Sequence, residues 1–166
     1  MPIRSTDLIE VKQTARKGRG VFARQFIPKG TEFEQVPVLV MPAEEVLGEP
    51  VNSVLQHYVF DWGKGTVALA LGFGSCYNHS YQPNARYDDY GRMMKVFSAL
   101  KDIQPGEEIT INYNGHQDDD SPVWFEVVES TPAADSASNG NEKKKSERSR
   151  SGKKRSSGSK RRTLAG

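Results

Sequence analysis

Three short polar segments carry the side chains that could do chemistry: KGRGVFA (residues 17 to 23), NHSYQPN (78 to 84) and GEEITINYNG (106 to 115). Gly18 and Gly20 flank Arg19, and glycine, having no Cβ, lets the backbone approach a ligand or turn sharply. Asn78 offers an amide that both donates and accepts, His79 a ring and a backbone pair, and Pro83 fixes the chain before Asn84. Tyr113 ends a stretch in which Ile109 and Ile111 alternate with polar residues, so its phenol projects past the core edge. These groups bind and orient. They include no paired-carboxylate dyad and no nucleophilic serine with an activating histidine. Taken singly, KGRG also fits an ordinary hairpin turn, His79 a structural histidine, and Tyr113 an amphipathic core plug with a wet hydroxyl.

The elements that must position these segments are mostly strands. DLIEVKQT and GVFARQFI read as two strands around the basic turn ARKGRG. FEQVPVLVMP is a third, where Pro37 predicts an edge or a bulge rather than a central ladder. TVALALGFG, ARYDDYGR, MMKVFSALKDI and EEITINY add four more, with a tight turn at Pro105-Gly106. AEEVLG and VNSVLQHYVF are the expected helices, the first bounded by Pro42 and Gly48. Many short strands and few helices predict a mainly β fold with small helical pieces, and there is no internal repeat.

The chain's 166 residues suffice for one domain with a real core. Its net charge of +2 hides two opposite halves: residues 1 to 141 hold 12 Lys+Arg against 19 Asp+Glu, residues 142 to 166 hold 11 against 2. From Ser130 onward hydrophobic residues nearly vanish and EKKKSERSRSGKKRSSGSKRR takes over. Such a stretch has too little apolar area to offset ordering entropy, so the expected organisation is a folded domain over 1–129 and a disordered Lys/Arg/Ser-rich tail over 130–166. The tail suits a solubilising extension or a tether to nucleic acid through residues 142–166. The single cysteine, Cys76, excludes an intramolecular disulfide and every multi-cysteine zinc pattern, so no metal is expected. No apolar run reaches the roughly 20 residues of a membrane helix, and MPIRSTDLIEV lacks a signal-peptide core. The expectation is an intracellular protein of the cytoplasm and nucleoid or of the nucleus and chromatin.

Together, in this order and at these separations, the three segments resemble the SET-domain protein lysine methyltransferases. The likeness spans about residues 7 to 125, and NHSYQPNA with GEEITINY is its specific part. It implies several small β-sheets with short helices and a C-terminal pseudoknot, in which the 78–84 loop is threaded beneath the C-terminal segment. It further implies S-adenosylmethionine as cofactor, with Lys17, Gly18, Arg19 and Gly20 cradling its methionine portion and Asn78 and His79 contacting its amino group and adenine. Tyr113 would line the channel where a lysine amine meets the methyl group, and Tyr58 in HYVFDW resembles a second channel tyrosine, though a core-plug role suits it too. Many members carry NHSC, whose cysteine joins a zinc-binding cluster after the domain. Here the position is Tyr81 and DDDSPVWFEVV has no cysteine, so the aromatic faces of Trp124 and Phe125 are expected either to close the site without metal, covering the cofactor's adenine and part of the lysine channel, or to pack as a C-terminal strand. Asn112 replaces the usual acidic residue before the tyrosine, and Ile111 stands where aromatic residues often tune the number of methyls.

By the resemblance, the substrate would be a basic protein tail, histone or histone-like, and the chain's own lysines at 143 to 145 and 153 to 154 are candidates for self-methylation. An acidic folded part suits such a partner, because opposite charge raises encounter rates, and Glu32, Glu34, Asp88 and Asp89 are candidates for that face. The alternative is a catalytically silent module of the same family that binds peptide or nucleic acid through its tail.

Overall fold

The computed structural model describes residues 7–49 and 54–129, and the expected basic tail lies outside them. Strands β1 (Ile9–Gln13) and β2 (Arg19–Ala23) pair antiparallel around a turn in which Thr14 N–H donates to Gly18 O (2.6 Å) and Lys17 N–H to Thr14 Oγ1 (2.8 Å). The turn needs φ +74° at Gly18, a region that glycine enters without steric cost. Strand β3 (Glu32–Pro42) leads into the one-turn helix α1 (Ala43–Leu47), and a 3₁₀ turn (Val54–His57) leads into β4 (Val59–Asp61). Strand β5 (Thr66–Ala70) is followed by a second 3₁₀ turn (Gly74–Cys76) and the two-residue strand β6 (Asn78–His79). Strands β7 (Ala85–Tyr90), β8 (Met94–Ala99) and β9 (Glu108–Ile111) complete the order.

The described residues form two sheets, one in the order β1-β2-β9-β6 and one in the order β4-β5-β3-β8-β7. Every pairing is antiparallel except β6 with β9, which sets Asn78 beside Thr110 and His79 beside Ile111. Alternation decides which residues face inward: Val21, Ile109 and Ile111 from the first sheet and Phe33, Val36 and Phe97 from the second are almost fully buried in one cluster. Each such side chain contributes on the order of 1.5–3 kcal/mol of transfer free energy.

Two expectations change. β3 is central, not an edge, yet it tolerates Pro37 because its first half pairs with β8 and its second with β5. Pro37 sits at that handover, where its missing N–H costs no ladder bond and its carbonyl accepts from Leu71 N–H (3.0 Å). A register shift between Glu32 and Glu34 supplies the bulge. The segment expected to be a helix from Val51 keeps one 3₁₀ turn only, because Val59–Asp61 gain more by pairing with Leu69–Val67 than by continuing a helix, and residues 51–53 lie outside the described part. Among the described residues no helix is long and apolar enough to cross a membrane.

Candidate active site

Asn78 ties β6 to the β1–β2 hairpin and to β9 at the site. Its side-chain amide donates to Arg19 O (3.0 Å) and to Glu108 Oε1 (2.7 Å), so both amide hydrogens are committed and the carbonyl Oδ1 is left to accept from elsewhere. Glu108 is the buried hub: its side chain is 2% exposed, and its other oxygen accepts from Lys17 Nζ (2.6 Å). Gly20 explains how these groups come so close. A Cβ there would stand 2.6 Å from Glu108 Oε1 and 2.9 Å from Asn78 Nδ2. Gly20 is thus buried beneath the site as a packing glycine, whereas Gly18 faces open space.

That open space is a cavity of about 410 Å³ lined by Gln13, Lys17, Gly18, Arg19, His57, Tyr58, Ser75, Cys76, Tyr77, Asn78 and Tyr113. A second cavity, of about 320 Å³, has Tyr58, Phe60, Asp61, Tyr87, Asp89, Lys95, Tyr113 and Trp124 in its wall. His57, Tyr58, Ser75, Tyr77 and Tyr113 line both. The two hollows are therefore neighbours across a partition of three tyrosines, Tyr58, Tyr77 and Tyr113, and a short turn, one walled by backbone and amides, the other by aromatic faces and carboxylates.

The partition is held firmly. Tyr113 donates its hydroxyl to Tyr77 O (2.7 Å) and its backbone N–H to His79 Nδ1 (3.1 Å). Burial, with smaller contributions from Cys76, Glu108, Tyr58 and Tyr87, pushes the Tyr113 phenol up to about 12, so it stays protonated at neutral pH and is no general base. Tyr77 is itself clamped: its hydroxyl donates to Glu34 Oε2 (2.6 Å), while Glu34 Oε1 accepts from Phe73 N–H (2.9 Å). Burial raises the Glu34 carboxyl against the effect of these two bonds, and drives the Tyr77 phenol well above its ordinary value. Tyr58 is placed by its N–H on Leu55 O (2.9 Å) and by Ser75 Oγ on its carbonyl (2.8 Å). Burial raises the Cys76 thiol, which keeps it in the poorly nucleophilic form.

His79 lines neither cavity. The residue is 3% exposed, and its ring packs against Tyr81, Tyr113 and Phe125. Because Nδ1 accepts a proton-bearing N–H, the ring is the neutral Nε2–H tautomer, consistent with burial lowering its pKa, and Nε2 has no protein partner among the described residues. The C-terminal segment closes over this loop. Tyr81 hydroxyl donates to Ser121 O and accepts from Val123 N–H (both 3.2 Å), and the Glu129 carboxylate accepts from Ser80 Oγ (2.7 Å) and Tyr81 N–H (3.1 Å). Trp124 then stacks on Tyr113 (6.2 Å between centroids) and His57 (6.4 Å), and Phe125 packs edge-on against His79.

The SET domain family model matches residues 18–114. The chain belongs to the SET-domain family. It is 36% identical over 135 residues, 81% of its own length and 88% of the relative's, to a Schizosaccharomyces pombe protein named as a histone-lysine N-methyltransferase specific for H3 lysine 37. It is 34% identical over 116 residues to the Drosophila melanogaster histone-lysine N-methyltransferase Set2, covering 62% of this chain and 5% of that protein. A crystal structure of a Plasmodium falciparum protein described as a candidate histone methyltransferase superposes with TM-score 0.56 at 31% identity, over 66% of this chain and 95% of that one. This SET-domain chain is accordingly a protein-lysine N-methyltransferase, and its two curled sheets are the family's mainly β fold.

Of the residues singled out in the sequence, the structure brings Lys17, Gly18, Arg19, Asn78, Tyr58 and Tyr113 to one cavity, sets Trp124 on the other, leaves Gly20 and His79 buried behind the lining, and leaves Phe125 exposed outside it. Ile111 is buried in the core and lines neither cavity; Asn112 builds the turn after β9, accepting from Asn114 N–H (3.0 Å) and donating to Asp119 O (2.6 Å). The acidic face shrinks: Glu34 is buried, Asp88 is paired with Arg86 (3.1 Å) and Asp89 with Lys95 (2.5 Å). Tyr77, Ser75 and Lys95 carry no motif spacing, and Glu108, although it stands within GEEITINY, reads as a surface carboxylate, so none of the four was legible as a site residue.

Proposed function

We propose that this enzyme transfers a methyl group from S-adenosylmethionine to a lysine of a basic, histone-like protein tail. The observation that carries the proposal is the partition: two cavities of unlike chemistry share Tyr58, Ser75, Tyr77 and Tyr113. The residues present fit the cofactor on the Asn78 side. Asn78 Oδ1 is an acceptor for an amino acid's ammonium, and the Cβ-free floor at Gly18 leaves room for a ligand to lie against the backbone. When bound, the cofactor supplies a methyl carbon on a positively charged sulfur. On the other side the aromatic wall of Tyr58, Phe60, Tyr87 and Trp124 suits the aliphatic stem of a lysine.

Within that frame the chain's residues align and exclude water rather than exchange protons. In-line transfer to an amine needs the amine uncharged, a cost of about 4–5 kcal/mol at neutral pH for an ordinary lysine, and burial among phenols works against the ammonium. Tyr113, its proton engaged by Tyr77 O, keeps its oxygen lone pairs available to an amine N–H, which orients the amine's own lone pair toward the partition. The S. pombe and Drosophila relatives, named as histone-lysine methyltransferases, support this substrate class and, with it, a chromatin setting.

Methyl transfer to basic peptides tests the proposal. Tyr113→Phe is expected to lower turnover about tenfold to hundredfold while calorimetry shows unchanged cofactor binding. Unchanged turnover would reject the role given to Tyr113.

A further inference from the structure

The wall of the aromatic cavity contains a cation of the chain's own. The Lys95 side chain, on β8, is 1% exposed, and its ammonium lies 2.5 Å from Asp89 Oδ1. Three ring faces surround it, with Nζ 4.4 Å from the centroids of Phe60 and Tyr87 and 5.1 Å from that of Trp62. Ring faces carry negative charge density, so this cage favours an ammonium where water is excluded. Burial pulls the Lys95 pKa down, while the bond to Asp89 and the charges of Asp89 and Asp88 oppose the fall.

The ion pair is lopsided. The Asp89 side chain is 51% exposed and its charge is screened by solvent, whereas the ammonium is enclosed. The more enclosed end of the pair is therefore the positive one, and both partners, with Asp61, belong to the wall of the hollow that Tyr113 also lines. The other titratable and charged groups around it are Tyr87 and Asp88 on β7, Asp61 at the end of β4, His57 and Tyr58 just before β4, and Tyr113 after β9. Asp61 is exposed, and β3, the remaining neighbour, sets Val36 opposite Lys95 while its own Glu34 is tied to Tyr77 and Phe73.

We propose that Lys95 is a built-in cation of the acceptor cavity that favours the uncharged form of the entering lysine amine, a role that rests on assigning this cavity to the substrate lysine. The entering ammonium gives one N–H proton to water and keeps the lone pair that will form the new bond. A like charge held in a poorly solvated wall lowers the entering amine's pKa by about one unit. Tyr87 ties the cage to the partition: one ring face lies under Lys95, and its hydroxyl is 3.7 Å from where a Cβ on Gly115 would stand, two residues after Tyr113.

Two readouts test the proposal. In the first, turnover on a lysine peptide is followed across a pH series: Lys95→Met should move the rising limb about one unit to higher pH and reduce turnover at neutral pH about tenfold. Lys95→Arg, which keeps the charge, should hold the limb at the wild-type pH whatever its absolute rate. The second needs no variant and no turnover: a peptide carrying one lysine labelled with ¹³C at Cε is titrated by NMR on the wild-type protein with S-adenosylhomocysteine, whose sulfur is neutral. Its bound amine should titrate below the free peptide's. A limb unmoved in Lys95→Met, a bound amine titrating at the free value, or methylation found on Lys95 itself would overturn the proposal. A labelled lysine whose signal ignores the protein would instead refute the acceptor assignment, and the proposal with it.

Discussion

At the scale of single residues, the site depends on close approaches that one atom can spoil. Gly20 is the clearest. Gly20→Ala puts a Cβ 2.6 Å from Glu108 Oε1 and 2.9 Å from Asn78 Nδ2, and the pair must separate. The expected outcome is a loss of about 1–3 kcal/mol of stability in denaturant unfolding, together with weaker cofactor binding by calorimetry, because Asn78 no longer presents Oδ1 in place. Wild-type affinity in this variant would show that the Asn78–Glu108 bond does not orient the amide. The same residues show what was legible. Asn78 and Tyr113 stand out in sequence because an amide in a polar loop and a phenol at a strand end are chemically marked. Glu108 does not, since an acidic residue after Pro-Gly-Glu looks like surface until β2 and β9 bury it. Glu34 misled for the same reason: its charge suggests a solvated face, and only the fold aims it at Tyr77.

At the scale of elements, the C-terminal segment is a cover fastened by side-chain bonds rather than by a sheet. Glu129 holds Ser80 and Tyr81, and Tyr81 in turn holds Ser121 and Val123, so Trp124 is presented to Tyr113 by a latch of ordinary hydrogen bonds. Glu129→Ala should accelerate hydrogen exchange over residues 121–129 and raise KM for a peptide substrate several-fold, with a change in global stability of about 1 kcal/mol or less. Unaltered exchange in that segment would mean that Glu129 does not fasten it. Strand order was partly readable here. Alternation marked seven of the nine strands described, but β6 has only two residues, and its parallel pairing with β9 joins positions 32 apart. Strand β4 escaped for the complementary reason, as the helix expected through VNSVLQHYVF shrinks to the 3₁₀ turn at Val54–His57 and gives way to the ladder that β4 makes with β5.

At the scale of the whole molecule, an acidic folded part and a basic C-terminal run of opposite sign invite different partners. We propose that residues 142–166 hold the enzyme on nucleic acid while the domain works on a neighbouring protein tail; binding to duplex DNA should then weaken steeply between low and physiological salt and vanish when 142–166 are removed. Salt-independent binding, or binding that survives the truncation, would contradict this. The catalytic proposal itself comes down to whether donor and acceptor meet across the shared phenols. A crystal structure with S-adenosylhomocysteine and a lysine peptide tests it most directly. The cofactor product should lie along Lys17, Gly18 and Asn78, the lysine should enter beneath Trp124 between Tyr58 and Tyr87, and sulfur and amine should face each other beside Tyr113. Both ligands in one cavity, or a continuous wall of protein between sulfur and amine, would contradict it.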